Sequence, residues 1–248
     1  MRLERGQINE IKRLRKQGNS LYEICYKTGL KKTTVYYHIK KHFGRSYKKV
    51  NFNLSNQELL GEIIGVFAGD GNYCKDSRCN HQVRFYFSWN EKVYSKRFAE
   101  VLSFVFGKDP YIYNYERKIE VRYKSKEMYE FLLQYLWWKG KRTHSIKLRS
   151  IKNSKDFTIG FLRGFFDAEG YSHKNQKKIV LVTTSKSMYK QLVEILRSLK
   201  FIPLVRIYKD KRPNNKTCYY ITLRDKNAVD FINIIKPRNP KRIKAWGP

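Results

Sequence analysis

The chain has 248 residues, 41% of them apolar, which is enough for one large or two small domains with a real core. Its 53 lysines and arginines outnumber 21 aspartates and glutamates, and the formal net charge is +32. Because self-repulsion at this charge is costly, the composition favours a polyanionic partner, nucleic acid above all, over a membrane or a role in solubility. Without a signal peptide or a long apolar run, we expect an intracellular protein, in the cytoplasm or nucleoid, or in an organelle if eukaryotic.

Residues 1–45 have the pattern of a small helix-turn-helix domain. Apolar residues recur at helical spacing over 7–17, Ser20 and Glu23 form a capping box for a second helix, and a basic polar helix follows over 31–43. The stretch SLYEICYKTGLKKTTVYYHI resembles the two core helices of the helix-turn-helix domains of resolvases and repressors. A helical bundle for protein contacts is the alternative. In the DNA-binding case, the residues facing a major groove are Lys31, Lys32, Thr34, Tyr37 and His38.

After a polar, basic linker over 46–54, the chain repeats itself. LLGEIIGVFAGDGNY at 59–73 returns as FTIGFLRGFFDAEGYSH at 157–173, and the order of predicted strands and helices after each copy also matches. The repeat predicts two halves, 55–152 and 153–248, each with the order αββαββα. We therefore expect an α+β fold whose halves are related by a pseudo-twofold axis.

Small residues recur every four positions in both repeated motifs, and this spacing places them on one face of a helix. Each glycine inside a helix costs up to about 1 kcal/mol relative to alanine. A cost present in both copies suggests that two helix backbones approach closely, so we expect the helices at 58–70 and 157–169 to pack together. The small residues are Gly61, Gly65 and Gly69 in the first copy and Gly160, Gly164 and Ala168 in the second.

An acid ends each of these two helices. If the helices pair, Asp70 and Glu169 emerge side by side, and we expect Gly71 and Gly170 to adopt the left-handed conformation of a helix C-cap. Two carboxylates at two negative helix ends repel each other, so the site favours cations. Hard oxygen ligands next to a polyphosphate suit Mg²⁺, and carboxylates with metals are suited to phosphodiester hydrolysis.

The two motifs resemble those of the LAGLIDADG homing endonucleases in their single-chain, two-motif form. The matching segments are residues 63–71 and 162–170, and the resemblance extends over about 55–248. It implies a saddle of two four-stranded sheets on double-stranded DNA, and Mg²⁺-dependent cleavage of both strands that leaves short 3′ overhangs. It also implies a monomer that binds two or more Mg²⁺ ions, with Mn²⁺ as a substitute. The implied ligands are the Asp70 and Glu169 carboxylates and the backbone carbonyls of Gly69 and Ala168.

The same resemblance implies a catalytic basic residue near the metal-bound water, after the last helix of each half, for which Lys141 (rather than Lys139) and Lys241 are the candidates. It also implies a polar side chain at the inner end of each second strand, near Asn90 and Ser185. Strand alternation predicts that Trp89 points inward with the apolar face of its strand and that the polar face meets DNA. The DNA-binding candidates are Arg84, Tyr86, Ser88, Asn90, Arg122 and Lys124 in the first half, and Lys178, Arg206, Tyr208, Tyr220, Thr222 and Arg224 in the second.

Two other functions are compatible with these features. An intron maturase on the same fold would use the basic surface to bind intron RNA. A non-catalytic transcription regulator would bind DNA through a degenerate copy of the fold, but the presence of both acids favours the nuclease. The N-terminal domain lies outside the core pattern of the family, and we expect it to extend the target site or to repress its own gene.

Overall fold

The structure is a computed structural model that describes residues 3–44, 52–75, 81–151, 153–173, 176–209, 217–244 and 246. The chain divides into two compact units, within 1–49 and 50–248. Most of the predicted linker over 46–54 lies outside the described residues. No helix in the described part of the chain is long and apolar enough to cross a membrane.

Residues 3–44 form three helices, α1 (Arg5–Lys16), α2 (Leu21–Thr28) and α3 (Lys32–Phe43). The capping box at α2 is present, since Ser20 Oγ accepts from the Glu23 backbone and Glu23 Oε2 accepts from the Ser20 backbone. Apolar side chains from all three helices make one small core. Its buried members are Ile11, Leu14, Ile24, Val35 and Ile39.

The first half of the second unit begins with α4 (Gln57–Asp70), β1 (Gly71–Lys75) and β2 (His81–Ser88). It continues with α5 (Lys92–Phe106), β3 (Tyr111–Asn114), β4 (Lys118–Lys124) and α6 (Lys126–Tyr135). A return segment follows, made of β5 (Leu136–Trp137), α7 (Arg142–Ser145) and β6 (Lys147–Leu148). The four long strands form an antiparallel sheet in the order β1-β2-β4-β3.

The second half repeats this plan with α8 (Lys155–Glu169), β7 (Gly170–His173), β8 (Lys178–Thr183) and α9 (Lys186–Ser198). It continues with β9 (Leu204–Tyr208), β10 (Cys218–Arg224), α10 (Asp225–Ile235) and a second return segment that contains α11 (Pro240–Ile243). Its antiparallel sheet has the equivalent order β7-β8-β10-β9. The predicted α+β fold with two αββαββα halves is confirmed.

The helices α4 and α8 pack backbone against backbone, and their contacts are reciprocal. A Cβ at Gly61 would lie 2.1 Å from the Phe157 carbonyl oxygen, and one at Gly160 would lie 1.9 Å from the Glu58 carbonyl oxygen. Gly61 and Gly160 are 99 positions apart, and so are Glu58 and Phe157. Replacing each residue of the first contact by its counterpart 99 positions away in the other helix gives the second contact. A twofold axis between the helices produces this pattern.

Charged side chains also join the two halves beside this interface. Arg163 of α8 lies 2.5 Å from the Glu58 carboxylate and 3.6 Å from the Glu62 carboxylate, both on α4. Arg97 of α5 binds the same fully buried Glu62 through two hydrogen bonds. The Glu62 charge is therefore shared between cations of both halves, which offsets the cost of burying it.

Candidate active site

Asp70 and Glu169 are the last residues of α4 and α8, and both are partly buried. The two helix ends meet so closely that a Cβ at Gly69 would lie 2.9 Å from Glu169 Cγ. Burial, then the charge of Glu169, raise the pKa of Asp70 to about 7. Burial also raises the pKa of Glu169, against the lowering effect of two arginines. The helix pairing thus brings together two carboxylates that repel each other when both are ionised. A cation bound between them would relieve this repulsion.

Arg142, the first residue of α7, covers the C-terminal end of α4. Its Nη1 donates to the carbonyls of Phe67 and Ala68 at 2.8 Å each, and its Nη2 donates to Gly69 at 2.9 Å. The Phe67 carbonyl also accepts from the Gly71 backbone N–H, and the guanidinium supplies a side-chain donor to it and to the two carbonyls that follow. Burial lowers the pKa of Arg142 to about 10, against the raising effect of Glu169 and Asp70.

Arg242 of α11 makes the equivalent contact at the end of α8. It donates through Nε to the Asp167 carbonyl at 3.2 Å and through Nη2 to the Ala168 carbonyl. Both arginines stand one position after the lysines that the sequence pattern singled out. The dipeptide Lys-Arg occurs in both return segments, at 141–142 and 241–242, and this repeat is the sequence signal that points to the arginines.

Replacing Arg142 by Met is expected to destabilise the protein by about 2–4 kcal/mol, because the carbonyls at the end of α4 lose their side-chain donor and Asp70 loses a neighbouring cation. Urea unfolding measures the difference. Lys141→Met is the matched control, since that side chain is exposed one position away, and we expect a change within about 0.5 kcal/mol. Equal losses in the two variants would contradict the capping role.

The two predicted lysines have different surroundings. Lys141 is exposed at the N-terminal end of α7. Lys241 Nζ donates to Ser88 Oγ at 3.0 Å and lies 3.9 Å from Glu91 Oε1. Lys241 of the second half therefore reaches the end of β2 in the first half.

Glu91 is a buried acid near the candidate site. Its carboxylate accepts from the Ser88 backbone at 2.7 Å and from Asn239 Nδ2 at 2.8 Å, and it lies 3.8 Å from Arg242 Nη2. Burial acts to raise the pKa of Glu91, but the hydrogen bonds from Asn239 and Ser88, with Arg242, lower it overall. A mostly ionised carboxylate thus holds the second return segment against the first half.

The first return segment crosses to the second half in the same way. Thr184 Oγ1 donates to the Thr143 carbonyl at 2.8 Å and lies 2.7 Å from His144 Nδ1. Ser185 Oγ donates to the Ile146 carbonyl and accepts from the backbone at the start of α9. Ser185, predicted near the inner end of the second strand of its half, is therefore a buried helix cap.

A second buried acid, Asp167, fixes the path of the chain after α10. Its carboxylate accepts from the backbone N–H groups of Arg238 and Asn239 at 2.9 and 3.1 Å. Burial raises its pKa to about 7 although these hydrogen bonds lower it. Asp167 thereby sets the position from which Arg242 reaches α8. Its role follows from this contact and not from any motif.

The expected left-handed caps at Gly71 and Gly170 are wrong. Both residues have extended backbones, with φ of −72° and −90°. Glycine is needed there for space, since a Cβ at Gly71 would lie 2.3 Å from the Phe67 ring, and one at Gly170 would lie 2.2 Å from the Phe166 ring. Each chain passes directly from its helix into a strand, over an aromatic ring.

The donor set fits a hard divalent cation. No group of three or more His, Cys, Asp or Glu side chains among the described residues is arranged to hold a metal. Asp70 and Glu169 supply two carboxylates whose repulsion a cation relieves, and Mg²⁺ is commonly held by few carboxylates together with water and substrate phosphates. The Gly69 and Ala168 carbonyls each accept from an arginine and keep a second lone pair.

Both sheets present polar side chains on the face away from the core. On β2, Val83, Phe85 and Phe87 are buried while Arg84 and Tyr86 alternate with them. On the second sheet, the predicted polar residues line one groove of about 420 Å³. They are Lys178, Arg206, Tyr208, Tyr220, Thr222 and Arg224.

Asn90 and Trp89 are exceptions to the predicted strand face. The strand ends at Ser88, because Ser88 and Glu91 form a capping box that starts a 3-10 turn. Asn90 is exposed within this turn, and Trp89 is 44% exposed instead of facing the core.

The predicted groove-facing residues of α3 are not equally free. Lys31, Lys32 and Tyr37 are exposed. Thr34 and His38 are partly buried, and the His38 Nδ1 atom is buried without a hydrogen-bond partner among the described residues. The part of α3 that is open to a ligand therefore consists mainly of lysine and tyrosine side chains.

The fold and the acid pair define a class of protein with two αββαββα halves joined through paired, glycine-lined helices that each end in an acid. The profile of the LAGLIDADG-like domain family matches residues 156–236. The uncharacterized protein MJ0398 of Methanocaldococcus jannaschii is 30% identical over 219 residues, which cover 82% of this chain and 74% of that protein. The chain belongs to the LAGLIDADG family.

Solved structures show the same fold at low sequence identity. A structure of the homing endonuclease I-DmoI in complex with DNA and Mn is 16% identical, with a TM-score of 0.57, and covers 73% of this chain and 97% of that chain. A structure of the homing endonuclease I-WcaI bound to its DNA recognition sequence is 18% identical, with a TM-score of 0.52, and covers 85% and 91%.

Proposed function

We propose that this protein is a homing endonuclease that binds a long double-stranded DNA site and hydrolyses both strands with Mg²⁺, leaving short 3′ overhangs. The observation that carries this proposal is the meeting of Asp70 and Glu169 at the ends of two helices in backbone contact. The similar structures of I-DmoI in complex with DNA and Mn, and with its target DNA and Mg, support it.

In this proposal Asp70 and Glu169 hold two or more divalent ions, Mg²⁺ or in its place Mn²⁺, with the Gly69 and Ala168 carbonyls as further oxygen donors. Such ions, when bound, would supply polarisation of the phosphate, activation of water and stabilisation of the leaving oxygen. Arg142 and Arg242 keep the helix ends fixed and oppose the rise in the pKa of the two carboxylates. Lys141 and Lys241 approach the phosphates, although Lys241 must first leave Ser88.

The DNA-binding surface in this proposal is the polar face of the two sheets. Basic side chains contact phosphates there, and side chains near the centre of each sheet reach base edges. The DNA-binding candidates predicted on both sheets keep this role, and Asn90 contributes from the turn that follows β2. The exposed lysines and Tyr37 of α3 bind a further stretch of DNA. Because both halves lie in one chain, we expect a monomer, which light scattering would measure.

A non-catalytic DNA-binding regulator is the second candidate function. It is favoured by the arginines that already occupy the Gly69 and Ala168 carbonyls, since these contacts neutralise the helix ends without metal. Binding of intron RNA to the basic surface, as in a maturase, is the third.

The deciding experiment exposes the full chain to a pool of long random duplexes with Mg²⁺, with Mn²⁺, and with a chelator, and sequences the new ends. We expect staggered double-strand ends at one sequence, with either metal and not with the chelator. Duplexes that are retained on the protein but never cut would refute the nuclease and support the regulator. Preferential retention of structured intron RNA in a parallel pool would support the maturase.

A further inference from the structure

The polar face of the first sheet contains an ion cluster that the candidate active site does not use. Its members are Arg84, Glu120 and Arg122, called here the arginine cluster. Arg84 and Arg122 lie directly opposite each other on β2 and β4, the two central strands of the sheet. The Glu120 carboxylate accepts from Arg122 Nε at 2.5 Å and lies 3.6 Å from Arg84 Nε.

The cluster holds Arg122 in one orientation. Glu120 is only 3% exposed, and the Arg122 guanidinium lies over the Tyr113 ring, 4.3 Å from its centroid. None of the described residues accepts a hydrogen bond from the two Nη groups of Arg122. By contrast, Arg84 donates through Nε and Nη2 to Gln82. Arg122, whose side chain is 16% exposed, therefore keeps two Nη groups without an acceptor among the described residues, while Arg84 gives its Nε and Nη2 to Gln82.

The fold does not require this cluster. By strand register, the second sheet has Val180 where the first has Arg84, and Thr222 where the first has Arg122. The position of Glu120 is taken by Tyr220. The second sheet forms the same four strands without any of the three charges, so this sheet architecture does not depend on the cluster.

A phosphate contact does not account for Glu120. A carboxylate on a surface that faces a polyanion weakens phosphate binding, and the middle of a sheet lies away from the rims that meet the backbone. A carboxylate that orients an arginine lowers the entropy cost of a directed contact. Two parallel N–H donors of a fixed guanidinium match the O6 and N7 acceptors of guanine in the major groove.

We propose that Arg122 is a specificity-determining residue that reads one guanine in the half-site bound by the first sheet, and that Glu120 is the positioning residue that aims it. This inference rests on the proposed binding of duplex DNA by the sheets, but not on cleavage. It assigns a G·C requirement to one position of the target.

The test is selection from a random duplex library with the full chain carrying Asp70→Asn, so that bound DNA is not cut. We expect a consensus with a fixed guanine in one half-site. Adding Arg122→Ala should lower the preference for that guanine about tenfold or more while the other positions stay unchanged. Adding Glu120→Ala should relax the same position, and Glu120→Gln, which keeps an acceptor for Arg122 Nε, should restore part of the preference.

Lys118→Ala is the matched control, because Lys118 is exposed on the same strand and face. It should weaken binding to all sequences alike and reduce the salt dependence, with the consensus intact. Thermal melting of each variant confirms that it folds. An unchanged consensus in the Arg122→Ala protein, or no enrichment of any duplex, would overturn the proposal.

The outcomes also separate this inference from the proposed nuclease. A guanine that depends on Arg122, in a sequence that the unaltered chain does not cut with Mg²⁺, supports the base contact and refutes the nuclease. Cleavage of a site whose consensus ignores Arg122 supports the nuclease and refutes the base contact.

Discussion

The Asp70→Asn and Glu169→Gln variants are each expected to lose strand cleavage by about a thousandfold or more while still binding the target. Each substitution keeps the size of the side chain and removes one anionic oxygen donor from the pair. Binding should persist because it depends on the many cationic groups of the sheets. Gel assays of cleavage and of retained duplex measure the two properties separately.

The same Asp70→Asn variant should be more stable than the unaltered chain in the absence of metal. The folded pKa of Asp70 is about 7, against an ordinary value of 3.8. Between these pH values the folded state binds more protons than the unfolded state, so the Asp70 contribution to stability falls as the pH rises from 4 to 7. The neutral amide avoids this loss, and we expect a gain of about 2 kcal/mol at pH 8 that vanishes near pH 4.

Melting with a chelator across this pH range measures the gain. Asp156→Asn is the matched control, because Asp156 is an exposed carboxylate in the first turn of α8, at the end opposite to Glu169. It should change neither cleavage nor the pH dependence of stability. Rapid cutting by the Asp70→Asn protein, or an equal melting temperature at pH 8, would show that the two carboxylates do not form a cation site.

Repeated features were predictable from the sequence, since a second copy makes a coincidence improbable. The glycine spacing predicted the backbone contact of α4 and α8, and the acids that follow predicted the meeting of Asp70 and Glu169. Strand alternation predicted the groove-lining residues of the second sheet. In each case, a local period determines which face a side chain occupies.

Features that depend on the path of the chain between elements were not predictable in the same way. Arg142 reaches α4 from a return segment whose course is fixed by tertiary contacts, and Asp167 fixes the other return segment by hydrogen bonds to distant backbone. Gly71 suggested a left-handed helix cap, but its backbone is extended. Glycine is needed there because the Phe67 ring leaves no room for a Cβ. Asn90 was misplaced because the Ser88 and Glu91 capping box ends the strand early.

The Gly160→Ala variant is expected to lose about 3–5 kcal/mol of stability, although it adds only a single methyl group. The new Cβ would lie 1.9 Å from the Glu58 carbonyl oxygen and 2.8 Å from its carbon, and neither backbone atom can rotate away. The helices must therefore separate, which also moves Asp70 and Glu169 apart. Urea unfolding and thermal melting measure the loss.

Gly6→Ala is the matched control for this exchange, since Gly6 lies in α1 and a Cβ added there would meet nothing within 4 Å. It should leave the unfolding of the 50–248 unit unchanged. Gly61→Ala should cost about as much as Gly160→Ala, because the two contacts are reciprocal across the helix pair. The double variant should cost less than the sum, since one separation of α4 from α8 relieves both clashes. Additive losses would mean that the two glycines face independent neighbours and that the helices share no twofold contact.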